Sequence, residues 1–287
     1  MRALQASRLL IVLSLCLMAP PIAAAGDITL LALTDSATFT PGLPDVGSLG
    51  TIFCTGLTGV NGVQAATQYP LPYQIAGVSV SLFGIRVPLL AVADFGSYQQ
   101  INFQVWEGLD NNPIVEVAQQ GLADGRFAIP VPSAWGVFFT DPKGYAVAQH
   151  ADYSLVTLDH PVRPGEVLVA YATNLEQFAY VLNYPSVGYP AQANPLPSIA
   201  PSSPLRSAPY VTLNSVVAEM FYSGLTPGSV GVFQVNFRVP NATPDGDAIL
   251  NAVTDTVCIN QGLPSGYCID GKKSLGAKIP VKAAPAP

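Results

Sequence analysis

His150 and His160 are the two histidines of the chain and its only side chains with an unperturbed titration near neutrality other than thiols and termini. A hydrolytic triad needs such a base, a carboxylate to orient it and a nucleophile to activate. Asp152 and Asp159 lie close in sequence. Both histidines sit among turn residues, in AQHADYS and LDHPVRPG, and His160 precedes Pro161, an extended or turn position. The G-x-S-x-G elbow of hydrolases does not occur. Both histidines therefore read as structural or solvent-exposed, and no catalytic residue is assigned. Asp245-Gly246-Asp247 and Asp110-Asn111-Asn112 offer oxygen ligands, but neither completes a calcium loop. Asp, Asn and Gly are equally the residues of ordinary turns, so no metal is expected. Phosphate loops and dinucleotide fingerprints are missing, and the expected cofactor set is none.

Binding is the remaining chemistry. Tyr180, Tyr184 and Tyr189, with Phe178 beside them, occupy a proline-rich stretch. Exposed rings there would stack on sugars or on a partner protein, whereas buried ones would be ordinary loop packing. They are the ligand-binding candidates. Two strings, QINFQV (100–105) and QVNFRV (234–239), carry amide-rich polar faces. These are expected to be the solvent side of strands, or an Asn tying a neighbouring loop to the sheet, rather than a ligand face. Cys258 and Cys268 flank a turn-rich loop and are the candidate disulfide, worth roughly 2–3 kcal/mol if unstrained. Cys54 is left over and reads as a small buried apolar residue.

The elements that would position these groups are strands. Charged residues make up only 10% of the chain, so the Glu, Lys and Arg that cover helix surfaces are scarce. Residues 1–25 read as an export signal: Arg2 and Arg8, the apolar run Leu9 to Met18, then Ala23-Ala24-Ala25 before a mature start at Gly26. The run is short for a span of about 20 residues, so no membrane insertion is expected after cleavage. Cleavage removes two arginines and no acid, which takes the net charge from −6 to −8. An acidic chain disfavours nucleic acid as partner.

The most informative feature is an internal duplication. QINFQV and QVNFRV match. GTIFCTGL (50–57) resembles GEVLVAYATNL (165–175), VSVSLFGIRVPLLAV (78–92) resembles YVTLNSVVAEMFYSG (210–224), and FAIPV (127–131) resembles AKIPV (277–281). The pairs keep the same order. In each QINFQV-type string apolar and polar residues alternate with period two, the signature of half-buried strands. Val167 to Tyr171 is continuously apolar and suits a strand covered on both sides. Val216 to Tyr222 admits a helical reading, but its counterpart holds Pro88 and β-branched residues, so both are expected as strands. Turn signals such as Pro41-Gly42, Asp124-Gly125, Pro164-Gly165 and Pro227-Gly228 punctuate the strands. The expectation is an all-β protein of two tandem immunoglobulin-like β-sandwiches: 26–132, a connecting hairpin segment 133–164, and 165–287, with a proline-rich excursion at 184–209. Trp135, Val137 and Phe138 are expected to cover the seam between them.

Several of these strings resemble a family of exported bacterial proteins, described mainly from acidobacteria as an uncharacterised carboxy-terminal domain. They are DSATFTPGLPDVGSLGTIF (35–53), GVSVSLFG with QINFQV, the block 136–175, and YVTLNSVVAEMFYSGLTPGSVGVFQVNFRVP (210–240). The resemblance implies secretion and TIG-like immunoglobulin folds, and no activity. Asn214-Ser215 replaces the usual glycine pair, Trp106 replaces a proline, and Phe95 to Tyr98 is a variant turn. The functional expectation is a secreted or envelope-located, non-enzymatic module for adhesion, scaffolding or partner binding, with a protein or glycan partner. A carbohydrate-binding protein using the aromatic loop is the alternative, and an extracellular hydrolase a remote one.

Overall fold

Apolar side chains at every second position drive this chain into strands, and strands buried on one face must pair into layers. The structure, a computed structural model, describes residues 27–105, 114–120, 122, 124–128, 135–175, 180–181, 186–193, 199–200, 209–254, 257–259, 267–269 and 271–282. It is all-β; among the described residues no helix is long and apolar enough to cross a membrane.

The first sandwich contains β1 (Thr29–Asp35), β2 (Leu49–Thr55), β3 (Val63–Ala65), β4 (Val78–Leu82), β5 (Ile85–Val87), β6 (Leu89–Asp94), β7 (Gln99–Gln104), β8 (Ile114–Gln119) and β9 (Gly125–Ala128). One sheet runs β1-β2-β7-β6-β3 and the other β5-β4-β8-β9. The second sandwich follows with β10 (Ala148–His150), β11 (Val167–Ala172), β12 (Tyr180–Val181), β13 (Ile199–Ala200), β14 (Tyr210–Leu213), β15 (Val216–Val217), β16 (Glu219–Leu225), β17 (Phe233–Arg238), β18 (Gly246–Val253), β19 (Val257–Ile259), β20 (Tyr267–Ile269) and β21 (Ala277–Val281). Its sheets run β10-β11-β17-β16 and β15-β14-β18-β21, while β12-β13 and β19-β20 form separate hairpins.

The two sandwiches share one topology. With the extra edge strand β3 and the two small hairpins set aside, each has an A-B-E-D sheet against a C′-C-F-G sheet, the strand arrangement of immunoglobulin domains. QINFQV and QVNFRV fall on β7 and β17, the E position of each copy, so the duplication read in the sequence is a duplication of shape. The C–C′ hairpins agree in detail. Phe83-Gly84 and Asn214-Ser215 both take positive φ at the two central turn positions (52° and 79°, 47° and 68°), as a tight right-twisting hairpin requires. Asn214 replaces part of the lost glycine freedom by accepting a hydrogen bond from Ile249 N through its Oδ1 (2.9 Å).

Each sandwich has its own core. Leu33, Ile52, Ile101 and Phe103 of one sheet meet Val78, Val80, Val115 and Val117 of the other in the first copy. Phe233, Val235, Phe237 and Leu168 meet Val211, Leu213, Leu250 and Ile279 in the second. Val167 to Tyr171, expected to be covered on both sides, instead alternates: Leu168 and Ala170 are buried, and Val167, Val169 and Tyr171 half-buried. One face meets the core and the other the partly open outer surface.

Residues 138–164 build the A edge of the second sandwich. Phe138 bridges Ala172, and β10 pairs with β11. Trp135, Val137 and Phe138, expected over the seam, pack in the core of the second sandwich. Phe139 takes the seam position, beside Ala37, Leu49 and Val232, with Leu90, Val147 and Tyr171 against them. Phe139 N donates to Tyr171 O (3.1 Å), which ties its backbone to β11 beside that cluster.

Thr173 and Asn174 weld the copies. Leu49 N donates to Thr173 Oγ1 (2.9 Å), whose hydroxyl donates to Gly231 O (3.2 Å). Asn174 N donates to Ser48 Oγ, and Asn174 Oδ1 accepts from Asp45 N, each at 2.9 Å. Asn174 Nδ2 donates to Gly136 O (3.1 Å), and Trp135 Nε1 donates to Asn174 O (2.7 Å). Gly231, at φ 64°, lies so close that a Cβ would stand 2.5 Å from Leu49 Cδ2 and 2.9 Å from Gly47 O. Gly231→Ala is accordingly expected to cost about 2–3 kcal/mol, since backbone as well as side chain must shift. Urea unfolding of the variant beside the parent measures it.

Cys54 is fully buried and free. Burial first, then the negative charge of Asp94, push its thiol up to about 12. Cys258 and Cys268 are direct cross-strand partners on β19 and β20. Directly opposed residues in an antiparallel ladder have Cα atoms about 4.5–5.5 Å apart, inside the range a disulfide spans. The processed chain should therefore show no thiol reactive at about pH 8 when folded. It should show one when unfolded without reductant, and three after reduction. Three reactive thiols without reductant would exclude the bridge.

Candidate functional site

Period two sends Ile52, Cys54, Ile101 and Phe103 into the first core and leaves Thr51, Phe53, Gln100 and Asn102 on the outer face of the same sheet. Phe53 stands opposite Gln100, and Thr51 opposite Asn102. The polar groups form a row. Gln100 Nε2 donates to Asn102 Oδ1 (2.9 Å), Asn102 Nδ2 donates to Thr51 Oγ1 (2.9 Å), and Thr51 and Ser36 hydroxyls share a 2.8 Å bond.

Rings line up beside that row. Phe39 meets Phe53 edge-on at 5.5 Å between centroids, Phe53 meets Tyr98 edge-on at 5.7 Å, and Tyr98 meets Phe95 at 5.3 Å. Such edge-on spacings are favourable for aromatic quadrupoles. Tyr69 stands nearby, half exposed. Across from them the second sandwich supplies Phe139, Val147, Val230 and Val232. Together they form a cleft of about 270 Å³ at the seam, and every described residue lining it is uncharged.

Two local devices hold the rings. Asp35, at the end of β1, is 3% exposed, and its carboxylate accepts from Ala37 N (2.8 Å), Thr38 N (2.7 Å), Thr38 Oγ1 (2.9 Å) and Thr40 N (2.9 Å). Burial raises its pKa above the ordinary value, and these four donors pull the other way. The loop so gathered carries Phe39 at φ 55°, a conformation that a bulky residue adopts only when its surroundings impose it. Gly136, from the second sandwich, abuts Asp35 and Thr38 with no room for a Cβ. The second device is the turn from Asp94 to Gln99. Asp94 Oδ1 accepts from Gly96 N (2.7 Å), Asp94 Oδ2 accepts from Gln99 Nε2 (3.0 Å), and Phe95 N donates to Tyr98 O (3.0 Å). The variant turn noted in the sequence is thus what presents Phe95 and Tyr98.

The sequence candidates fall elsewhere. Tyr189 is exposed, on a loop tied to the cleft wall by Leu71 N donating to Gly188 O and Ala191 N donating to Ser229 O, but its ring does not line the cleft. Tyr180 lies on β12, and its side chain is outside what the structure describes, as is all of Tyr184. Sequence reasoning missed Phe39, Phe53, Tyr98 and Asp35. The signal available was DSATFTP, an Asp followed by Thr donors, which reads as a side-chain-closed turn.

The histidines meet, and no Ser, Thr or Cys is among the described residues that line their pocket. His150 is buried; its Nδ1 contacts Glu166 Oε1 and its Nε2 lies 3.2 Å from His160 O. The His160 ring stacks on it at 4.2 Å. Both imidazole nitrogens of His150 therefore face acceptors, and the nearby Ser154 hydroxyl donates to Asp152 (2.6 Å). Asp245 pairs with Lys282, and Asp247 accepts from Tyr145 OH. Among the described residues no group of three or more His, Cys, Asp or Glu is gathered to hold a metal.

No known family profile matches the chain, and neither does any curated protein. Among solved structures, the tandem Ig repeats of Dlar align at 12% identity over 91% of this chain and 100% of that one, with a TM-score of 0.22. The N-terminal part of the bacterial S-layer protein SbsC aligns at 10% identity over 89% of this chain and 44% of that one, TM-score 0.24. The endo-fucoidan hydrolase MfFcnA4, of glycoside hydrolase family 107, aligns at 13% identity over 91% and 30%, TM-score 0.18. Scores this low carry no functional argument, and the immunoglobulin-like assignment rests on strand topology.

Removing the Asp35 carboxylate leaves three backbone N–H groups and a hydroxyl without their acceptor. Asp35→Ala is expected to lower stability by about 2–4 kcal/mol, several partly buried donors being orphaned at once. Chemical unfolding measures the loss, and near-ultraviolet circular dichroism reports whether the Phe39–Phe53–Tyr98 rings lose their fixed arrangement.

Proposed function

We propose that the protein is an exported, non-enzymatic binding module, in which two fused immunoglobulin-like sandwiches hold one recognition cleft at their seam. The observation that supports this reading is the cleft itself. Ordered rings and a connected row of neutral hydroxyls and amides lie on a rigid sheet face, and strained loop geometry is maintained to present them. A catalytic site would need a nucleophile, a base and an orienting group converging on one point. The groups lining the cleft are phenyl, phenol, hydroxyl, amide and aliphatic, a set suited to holding a molecule rather than transferring its protons. Location at the envelope or outside the cell follows from the leader Met1 to Ala25.

The test is in two parts. Fractionation of cells producing the full chain is expected to place it outside the cytoplasm with an N-terminus at Gly26. An uncleaved cytoplasmic protein overturns the export reading. Purified mature chain is expected to turn over none of a panel of ester, peptide and glycoside substrates. Turnover that disappears in His150→Ala or His160→Ala would instead establish a hydrolase.

A further inference from the structure

We propose that the seam cleft binds a neutral saccharide, one or two sugar rings or the end of a glycan chain, stacked on Tyr98 and Phe53 and hydrogen-bonded by Gln100 and Asn102. The proposal rests on the binding-module reading and names the ligand class of its cleft.

Four observations carry it. The first is the pairing of two surfaces. A pyranose is apolar on its C–H faces and ringed by hydroxyls at its edge. The cleft sets a run of aromatic rings directly beside neutral donor–acceptor groups, Ser36, Asn102 and Gln100, with the fully buried Thr51 hydroxyl linking Ser36 to Asn102. Within that row, the Gln100 side-chain oxygen and one hydrogen of each amide have no partner among the described residues. The second is charge. None of the described lining residues carries any, on a chain of net charge −6 before cleavage. A uronate, phosphate or nucleotide entering there would lose its hydration with no counter-charge to replace it. The third is size. A cavity of about 270 Å³ sits just under the small-molecule range of about 300–1,000 Å³ and is too small for a protein segment of many residues.

The fourth is the contrast between the copies. Gln234 and Asn236 repeat the amide pair on β17, so the pair alone belongs to the fold. The register then places Val169 opposite Asn236, where the first copy has Thr51, and Tyr171 opposite Gln234, where the first has Phe53. Tyr171 donates its hydroxyl to Gln149 (2.6 Å). The second copy thus lacks the hydroxyl link and ties down its ring, and the fold stands without the full constellation. The first copy keeps that constellation and adds the Phe95–Tyr98 turn. An apolar peptide or lipid chain would match the rings but would leave the spare Gln100 oxygen and amide hydrogens without partners.

The mature chain is applied to an array of neutral oligosaccharides (glucose, galactose, mannose, xylose and N-acetylglucosamine series) with uronic-acid counterparts. The best neutral probe then goes to calorimetry with Tyr98→Ala, Phe95→Ala and Asn102→Leu, and with Tyr153→Ala as a distant exposed-ring control. Phe95 and Tyr98 lie on a surface turn, so their variants keep the core, and unchanged unfolding midpoints verify it. Binding is expected to neutral glycans alone, weakened about tenfold or more in the three cleft variants and unchanged in the control. Binding that the cleft variants leave intact overturns the site. Binding to charged glycans only, or no glycan binding at all, overturns the ligand class. Cleft-dependent binding of a hydrophobic fluorophore without glycan binding overturns the saccharide but leaves the binding module standing. Hydrolysis of a bound glycan overturns the non-enzymatic reading while leaving the cleft assignment in place.

Discussion

Backbone groups trapped between two packed sandwiches have lost water and must find partners in protein, and at this seam the Thr173–Asn174 pair supplies them. Asn174 uses its main-chain N–H and C=O and both ends of its side-chain amide, reaching Ser48, Asp45, Gly136 and the Trp135 indole. It does so at φ 59°, a backbone conformation that asparagine tolerates better than most residues. Thr173 adds a hydroxyl bonded on both sides, to Leu49 N and Gly231 O. These directional bonds, set round the Leu49–Phe139–Val232 contact, fix how the second sandwich meets the first.

The cleft depends on that fixation. One wall is the outer face of β2 and β7, and the opposite wall is Phe139, Val147 and Val232 from the second sandwich. Neither wall alone encloses a volume. The seam also reaches the device that holds Phe39, because Gly136 lies against Asp35 and Thr38 without space for a side chain. Gln104 continues the same logic at the far end of β7. Its Nε2 donates to Gly47 O, and its Oε1 accepts from Gly188 N, so an E-strand amide ties two loops to the sheet. Amides of one strand therefore serve structure at Gln104 and face the cleft at Gln100 and Asn102.

Much of this architecture was legible from periodicity. The alternation of QINFQV and QVNFRV gave strand, face and core residues, and the order of the paired strings gave equivalent positions in two sandwiches. Trp135, Val137 and Phe138 show where such reading fails. Their apolar character said that they would be buried, but burial has two sites here, core and seam, and only the bridge of Phe138 to Ala172 assigns the side. The cleft was less legible still. Period two marks the polar face of β7 as solvent side or loop tie and no more, because nothing in the string shows that Phe53, 47 residues earlier, stands opposite Gln100. The tyrosines of the proline-rich stretch are dense in sequence, while the clustered rings come from residues 39, 53, 95 and 98, which only sheet register and the 94–99 turn bring together.

By itself the sequence determined the all-β class, the repeated unit, the strand faces and the turns, because each depends on neighbours within a few residues and on the spacing of apolar side chains. Tertiary structure alone decided that a wall of one copy faces a wall of the other, that Gly136 of the second sandwich abuts Asp35 and Thr38 of the first, and that rings and amides form one surface. Those are encounters between residues far apart in the chain, fixed by sheet register and seam bonding, and composition carries no trace of them.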